Sequence, residues 1–366
     1  MVMKSPPRPR TSSNRTFAGL LALALLAPLA PAPASAQMVM SWEPPFTATA
    51  PKLVEHVPTA AASKPWVLCV VIPHIKDAYW LGINYGMIDE ARRLRIEVRF
   101  AEAGGYSQLE LQRSQIQACA ADRSVDALIV GAVSRTVMTP QLRRLTARMP
   151  VIGTVNAIAD EGISGKVGVD WDEMGRAAGA FLAAQAQGDG PPVPIAWFPG
   201  PRSVSEGVDR AFRQAVAGSR LVIRTTAWGD TGKAVQRNLL QQVLDEHPDL
   251  RFVAGNALMA EAAISVLRER GLQERIGVVS TYFTPAVQRG IMRGRILAAP
   301  TDAPVLQGRL SVGMAVDLLE QRPTRRHLGP VVHTLDRDNL EQFEIGDSLP
   351  PPLQMPQIHY RPQQRD

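Results

Sequence analysis

The aromatic side chains are the residues of this sequence whose types and spacing best suit binding chemistry. Phe, Trp and Tyr make up only 5% of the chain, which contains six Trp and five Tyr. Five of these eleven side chains come just after predicted strands: Tyr79, Trp80, Tyr106, Trp171 and Tyr282. The faces of aromatic rings attract compact cations, and a quaternary ammonium group needs no strong hydrogen-bond partner. The pattern therefore predicts an aromatic site for a small methylated cation.

Two other interpretations of these aromatic residues stay open from the residues alone. Each ring could pack in a core, as is expected for Trp197, which lies inside an apolar run. The rings could also stack on a sugar, whose hydroxyl groups would need several polar partners. The polar side chains available near predicted strand ends are Asp77, Asp230, Asn256 and Asp302.

The elements that would position these residues alternate between short apolar runs and segments with helical spacing. Runs typical of buried strands lie at 66–73, 97–102 and 127–133, and amphipathic segments typical of helices separate them. After residues 167–169 the same alternation starts again. Regular β–α alternation predicts parallel sheets with helices on both faces. The sequence therefore predicts an α/β fold of two doubly wound lobes with parallel sheets.

In open parallel sheets, ligands bind beyond the carboxyl ends of the strands, where loops and helix N-termini meet. The five aromatic residues follow strands of both predicted lobes, so we expect them to surround one cleft. Proline enrichment marks the ends of the chain, because eleven of the 30 prolines precede Trp66 and five follow Ser348. These flanking segments are therefore expected to be irregular.

The first 36 residues have the organisation of a secretory signal peptide. A basic stretch from Lys4 to Arg15 precedes an apolar run, and Ala34-Ser35-Ala36 offers the small residues of a cleavage site. The apolar run of roughly 14 residues is shorter than the about 20 needed to span a bilayer. The alternative is an uncleaved N-terminal anchor helix. We predict Sec-type export, cleavage after Ala36 and a periplasmic protein without further membrane insertion.

The basic character of the chain comes largely from this leader. The formal net charge is +6, but four of the 40 Lys and Arg residues lie in the first 36 residues, which contain no acid. The remainder has 36 basic and 34 acidic side chains and no run of Lys or Arg that would track phosphates. We therefore expect no nucleic-acid partner.

Neither a metal site nor an enzyme active site is indicated by the remaining residues. The six His show no ligand spacing such as i, i+4, and the chain has no nucleophile elbow, P-loop or paired glycine fingerprint. The role of His74, near the predicted cleft, stays open between a ligand contact and a structural one. We expect no catalytic residue, no cofactor and no metal.

Cys69 and Cys119 are the two cysteines of the chain, and an exported protein can form a disulfide between them. The first lies in the first predicted strand, and the second faces inward on the second predicted helix. We predict a disulfide, with two buried thiols as the alternative.

A family resemblance is carried by several stretches in order. They include CVVIPHIKDAYWLGINYGMIDEARR, EAGGYSQLELQRSQIQAC, GVDWDEMG and QRGIMRGRILAAPTD. Over roughly residues 64–345 the chain resembles the TorT family of periplasmic proteins that sense trimethylamine N-oxide (TMAO). The resemblance implies a type I periplasmic binding protein fold, with two lobes joined by a three-strand hinge. It also implies that the chain binds TMAO and docks to TorS, the membrane sensor histidine kinase controlling TMAO respiration.

The resemblance places the family's aromatic cage on residues already selected at strand ends, and it includes both cysteines. The implied ligand-binding residues are Tyr79, Trp80, Tyr106, Trp171 and Tyr282, with Asp77 in the same segment. The expected segments are a signal peptide (1–36), an irregular arm (37–63), an N-terminal lobe (64–169 plus about 284–320), a C-terminal lobe (170–283 plus about 321–345) and a Pro-rich tail (346–366). The alternative function is a solute-binding protein of an ABC transporter for a sugar or a methylated amine.

Export should produce a mature protein that begins at Gln37. We expect N-terminal sequencing of the exported protein to start at this residue, because signal peptidase cleaves after small side chains. A variant with Ala36→Lys should accumulate as an unprocessed precursor. Retention of residues 1–36 in the exported, unmodified protein would contradict the prediction.

Overall fold

The computed structural model describes residues 1–3, 36–43 and 50–363. Met1–Ala34 and Ser35–Asp366 are separate units, and the first three residues of the former have no regular secondary structure. The predicted signal peptide therefore lies almost wholly outside the described residues. Among the described residues, no helix is both long and apolar enough to cross a bilayer.

Strands and helices alternate through most of the second unit. In chain order the strands are β1 (Gln37–Ser41), β2 (Lys52–His56), β3 (Val67–Ile72), β4 (Glu97–Glu102), β5 (Ala127–Val130), β6 (Val151–Thr154), β7 (Gly165–Val167), β8 (Val193–Gly200), β9 (Leu221–Trp228), β10 (Phe252–Gly255), β11 (Gly277–Ser280), β12 (Ala298–Thr301), β13 (His327–Gly329), β14 (His333–Asp336) and β15 (His359–Tyr360). The α-helices are α1 (Ala78–Leu94), α2 (Leu109–Ala121), α3 (Thr139–Thr146), α4 (Trp171–Ala184), α5 (Arg202–Val216), α6 (Lys233–Glu246), α7 (Ala257–Glu269), α8 (Pro285–Met292) and α9 (Pro304–Leu319).

The strands form two sheets, one in each lobe. The first has the order β15-β4-β3-β5-β6-β7-β13-β1-β2, and the second has the order β14-β12-β11-β10-β8-β9. From β4 to β13 the neighbouring strands of the first sheet are parallel, as are those from β12 to β9 in the second. Every residue of β5 is buried, as expected for a strand covered by helices on both faces. The predicted α/β architecture of two doubly wound lobes is confirmed.

Close packing of α1 against α9 ties the start of the first lobe to its last helix. A Cβ on Gly86 would lie 2.0 Å from the carbonyl oxygen of Val305, so only glycine allows this approach. Gly308 on α9 makes the reciprocal contact, where a Cβ would lie 2.4 Å from the carbonyl oxygen of Ile83. The middle of α1 is therefore packed directly against the first two turns of α9.

The segments expected to be irregular contain strands that extend the first sheet. β1 and β2 pair in an antiparallel hairpin, and β1 also pairs with β13. β15 adds to the opposite edge by pairing with β4. The expectation for 37–63 and 346–366 was therefore wrong in part. These strands are short and flanked by prolines, and β1 and β15 pair with strands far away in the sequence, so local patterning does not reveal them.

The chain returns to the first lobe later than expected. Residues 284–301 were expected in the N-terminal lobe, but they hold α8 and β12, and β12 pairs with β11 in the second sheet. The expected stretch 321–345 contributes one strand to each lobe, since β13 joins the first sheet and β14 the second. Three connections cross between the lobes before the tail, at residues 168–170, 302–303 and 330–332. The eight-residue α8 and the four-residue β12 are too short for the hydrophobic periodicity of the sequence to identify them, so their place in the second lobe was missed.

Cys69 on β3 and Cys119 on α2 form a disulfide, with 6.0 Å between their Cα atoms. Titration of the denatured, unreduced protein should therefore find no reactive thiol. Because the bond joins residues 50 positions apart, the double variant Cys69→Ala/Cys119→Ala should lose ~4 kcal/mol of unfolding free energy. Urea unfolding measures this loss, and reduced wild-type protein is the matched control. Two reactive thiols in the unreduced protein would refute the bond.

Candidate functional site

One cavity between the two lobes contains all six residues that the sequence proposed for ligand binding. Its volume is about 50 Å³, on a scale where a single water molecule needs roughly 10–15 Å³. The residues that line it are Asp77, Tyr79, Trp80, Tyr106, Asn156, Trp171, Pro199, Pro201, Val204, Ser205, Val208, Thr231, Asn256, Thr281 and Tyr282.

The first turn of α1 positions Asp77, Tyr79 and Trp80. Asp77 is the N-cap, and its Oδ1 accepts a hydrogen bond of 3.0 Å from the backbone N–H of Trp80. The Trp80 ring is 1% exposed and lies against Gly131, where a Cβ would be 2.5 Å from the indole. The absence of a side chain at Gly131, beyond the end of β5, thus leaves the space that the Trp80 ring occupies.

Tyr79 is the central ring of the aromatic cluster. Its centroid lies 6.1 Å from that of Trp80, 6.1 Å from that of Trp171 and 5.5 Å from that of Tyr282. Trp80 belongs to the first lobe, whereas Trp171 begins α4 and Tyr282 follows β11 in the second. The rings meet at large angles, the arrangement that favours contact between ring edges and ring faces. The cluster therefore spans the cleft.

Hydrogen bonds hold the polar ends of these rings. The Tyr79 hydroxyl donates to Oδ2 of Asp302 over 2.6 Å, and Nε1 of Trp171 donates to the carbonyl oxygen of Val155 over 3.0 Å. The Tyr106 oxygen accepts from Nδ2 of Asn156 over 3.5 Å. Because the polar atoms of these rings have hydrogen-bond partners in the protein, the ring faces are available to apolar or cationic groups.

One carboxyl, that of Asp77, lines the cavity, and a second, that of Asp302, lies behind Tyr79. Burial raises the pKa of the Asp77 carboxyl to about 7, opposed by hydrogen bonds from backbone N–H groups and reinforced by the charges of Glu261 and Asp230. Burial also raises the pKa of Asp302, which lies behind Tyr79. A cationic ligand would relieve the cost of burying such carboxyl groups.

His74 lies at the cleft but does not line the cavity. Its Nδ1 accepts from the backbone N–H of Lys76 over 3.4 Å, and its Nε2 lies 3.4 Å from the Thr231 hydroxyl of the other lobe. Burial lowers the pKa of His74 to about 4. A neutral ring with its proton on Nε2, assigned from these contacts, donates to Thr231. This contact supports the structural interpretation of His74.

Several lining residues were not proposed as ligand contacts from the sequence. Asn156 lies two positions beyond the end of β6, and Thr281 directly follows β11, so the strand-end criterion could have found both. Asn256 follows β10 and was considered only as a partner for a sugar. Ser205 and Val208 lie within α5, where no local signal distinguishes them from other helical residues. Trp197 is fully buried and stacks on Phe212, as expected of a core residue.

Metal ligands are not grouped in the part of the chain that the structure describes. Within residues 1–3, 36–43 and 50–363, no three His, Cys, Asp or Glu side chains are arranged to hold an ion. The cavity therefore offers aromatic faces, a few hydroxyl and amide groups and a carboxyl.

Comparison with known proteins identifies relatives of this chain. A family model described as a periplasmic binding protein domain matches residues 68–323. The chain is also similar to the periplasmic protein TorT of Escherichia coli (strain K12). The two are 39% identical over 292 residues, which cover 79% of this chain and 83% of that protein.

Two solved structures are similar over most of the chain. One is TorT in complex with the TorS sensor domain in the presence of TMAO, with a TM-score of 0.74, 36% identity and coverage of 80% of this chain and 99% of that chain. The other is an ABC transporter solute-binding protein from Bradyrhizobium sp. BTAi1 with bound bis-tris. It has a TM-score of 0.76, 40% identity and coverage of 88% of this chain and 97% of that chain.

Asp77 should make folding stability depend on pH. Its carboxyl holds a proton up to about pH 7 in the folded protein, but only to about pH 4 when unfolded. The folded state therefore binds more protons between these values, and the free energy of unfolding should fall as pH rises through this window. Asp77→Asn keeps a capping oxygen but cannot ionise, so it should lack this part of the decline.

Urea unfolding of both proteins between pH 4 and 8 measures the difference. We expect the variant to gain stability relative to wild type, on the order of 4 kcal/mol across the window. Asp77→Ala also lacks the carboxyl, so its difference from Asp77→Asn measures the loss of the cap, which should cost about 1 kcal/mol. Parallel stability curves for wild type and Asp77→Asn would rule out a titrating Asp77.

Proposed function

This chain belongs to the periplasmic binding protein family and, within it, to the TorT proteins, and on that premise we propose that it binds TMAO and signals to a membrane sensor histidine kinase. As a member of this family it is a periplasmic protein. In this proposal the protein is a sensor that binds its ligand without converting it.

The observation that carries the proposal is the small cavity surrounded by five aromatic rings. A volume of about 50 Å³ corresponds to roughly four water molecules, which suits the five non-hydrogen atoms of TMAO. Ribose has twice as many and would require the lobes to move apart. The methyl groups of TMAO would lie against the faces of Tyr79, Trp80, Trp171 and Tyr282.

The chemistry of TMAO matches the two kinds of group in the cavity. Its nitrogen carries a positive charge and cannot donate a hydrogen bond, so ring faces suit it. Each desolvated cation–π contact is worth about 2 kcal/mol at best, and four would support a micromolar dissociation constant. The N-oxide oxygen is a strong acceptor, for which Asp77 in its protonated form and the Tyr106 hydroxyl are suitable donors.

Signalling follows in this proposal from contacts that the ligand makes with both lobes. TMAO would contact Tyr79 and Trp80 of the first lobe together with Trp171 and Tyr282 of the second. It would therefore favour the arrangement of the lobes in which these rings are close. The ligand can shift the equilibrium between the two lobe arrangements only by the difference in its affinity for them. The sensor domain of a TorS-like kinase would bind one arrangement preferentially, in line with the solved complexes between a TorT protein and the TorS sensor domain.

A transporter function is the alternative. The Bradyrhizobium relative is described as an ABC transporter solute-binding protein and binds bis-tris, an amine that bears hydroxyl groups. A sugar or a methylated amine could be delivered to a permease from the same cleft. Pull-down with the sensor domain of a cognate TorS-like kinase distinguishes the two functions, because only the sensor needs to bind it.

Calorimetric titration tests the ligand. We expect micromolar binding of TMAO, weaker binding of trimethylamine, which lacks the oxygen, and no binding of ribose. Trp171→Ala should weaken TMAO binding about 30-fold, the equivalent of one cation–π contact. Trp171 is only partly buried, so the fold should persist, whereas Trp80→Ala would also remove a fully buried ring.

Trp228→Ala is the matched control, since Trp228 is also partly buried and does not line the cavity. It should bind TMAO as tightly as wild type, and circular dichroism should show that both variants are folded. Tight binding of ribose without binding of TMAO would overturn the proposed ligand. Unchanged affinity in Trp171→Ala would remove this residue from the cage.

A further inference from the structure

We propose that Asp302 is the positioning residue of the aromatic cage and biases it toward a positively charged methylated nitrogen, an inference that rests on the proposed binding of TMAO in this cavity. Asp302 does not line the cavity. It acts through Tyr79, whose ring is the centre of the cluster.

Asp302 lies in a connection between the two lobes. It follows β12 of the second sheet and is separated from α9 of the first lobe by Ala303, whose φ of 48° is in the left-handed region. Its side chain is 1% exposed. A carboxyl in this place is therefore linked both to the cage and to the segment whose geometry must change if the lobes move.

Two neutral donors converge on one oxygen of Asp302. Oδ2 accepts from the Tyr79 hydroxyl over 2.6 Å and from Nε2 of Gln307 over 2.8 Å. The same Nε2 donates to the backbone carbonyl of Asp302 over 2.7 Å, and the carbonyl of Gln307 accepts from the Ser311 hydroxyl over 2.7 Å. A buried hydrogen-bond network on α9 thus fixes Oδ2 of Asp302, and the position of this oxygen determines the position of the Tyr79 hydroxyl.

A neutral side chain would serve this structural role at lower cost. The other oxygen, Oδ1, is buried and has no hydrogen-bond partner among the residues that the structure describes. A buried acceptor without a partner is costly, and a buried charge more so. Asparagine could accept the same hydrogen bond from Tyr79 without a charge. The carboxyl is therefore better explained by what its negative charge does at the cavity.

Burial raises the pKa of Asp302, and the hydrogen bonds from Tyr79 and Gln307 oppose this effect because they favour the ionised form. The charge of the ionised form acts on a ligand in two ways. A hydrogen bond from a phenol to a carboxylate shifts electron density toward the ring, and a more electron-rich ring attracts a cation more strongly. In addition, the carboxylate lies behind Tyr79 in an environment of low dielectric constant, where its field acts on a cation with little screening. Both effects grow with the net positive charge of the ligand. Displacement of the Tyr79 ring alone would affect all trimethylated ligands alike.

The test compares two ligands of similar shape and different net charge. TMAO is neutral overall, because its oxygen offsets the charge on nitrogen, whereas trimethylammonium carries a full positive charge. In Asp302→Asn we expect trimethylammonium to lose roughly tenfold more affinity than TMAO does, since the variant keeps the acceptor and removes the charge. Calorimetry and ligand-observed NMR titration measure both dissociation constants at pH 7.5.

Tyr79→Phe is the second variant, which keeps the ring and removes its link to Asp302. It should reproduce part of the change in the ratio of the two dissociation constants. In the double variant Tyr79→Phe/Asp302→Asn, the added Asp302→Asn substitution should change this ratio less than it does in the unmodified protein. Asp77→Asn is the control for the carboxyl that lines the cavity, and its effect should add to that of Asp302→Asn. Circular dichroism and thermal unfolding establish that each variant is folded.

The outcomes separate this inference from the proposed function. If the unmodified protein binds both ligands and Asp302→Asn weakens them equally, or weakens neither, the role of Asp302 is refuted and the cage stands. If Tyr79→Phe alone leaves the ratio of the two dissociation constants unchanged, transmission through Tyr79 is refuted. If the unmodified protein binds neither ligand, the proposed function fails and this inference fails with it.

Discussion

Buried Tyr and Trp rings carry polar atoms that must find hydrogen-bond partners, and the geometry of the cleft depends on where those partners lie. The Tyr79 hydroxyl bonds to Asp302 in one connection between the lobes, and the Trp171 indole bonds to the carbonyl of Val155 in the other lobe. The polar ends of the rings are thus anchored at the junction of the lobes. Their faces remain free to surround a ligand, and the shape of the cavity is coupled to the arrangement of the lobes.

Because the shape of the cavity depends on the arrangement of the lobes, the fold also limits the size of the ligand. Two doubly wound lobes with connections between them provide a cleft whose lining comes from strand ends and helix N-termini of both sheets. The same scaffold can bind quite different ligands, because the residues at these positions determine the chemistry while the sheets determine only where they stand. Here the N-terminal turn of α1 supplies two large rings. Gly131 leaves the space for one of them, and the result is a cavity suited to a ligand of a few atoms.

Much of this organisation could be predicted from local sequence. The strand at Glu97–Glu102 and the core position of Trp197 were predicted correctly, because alternating apolar runs have a strong local signature. Placement at strand ends was enough to bring Tyr79, Trp80, Tyr106, Trp171 and Tyr282 to one cavity. The hairpin of β1 and β2, the edge strand β15 and the late return of the chain after β12 were not predicted. These elements are short, and β1 and β15 pair with strands distant in the sequence.

The sequence by itself determined which residues could reach the cleft, because regular alternation of strands and helices places the carboxyl ends of the parallel strands at one edge of each sheet. Only the tertiary structure decided how those residues are held. Tyr79 and Asp302 are 223 positions apart, and a hydrogen bond over that separation leaves no trace in local spacing or periodicity. The burial of Asp77 and of Asp302, and with it their raised pKa values, likewise depends on both lobes closing around them.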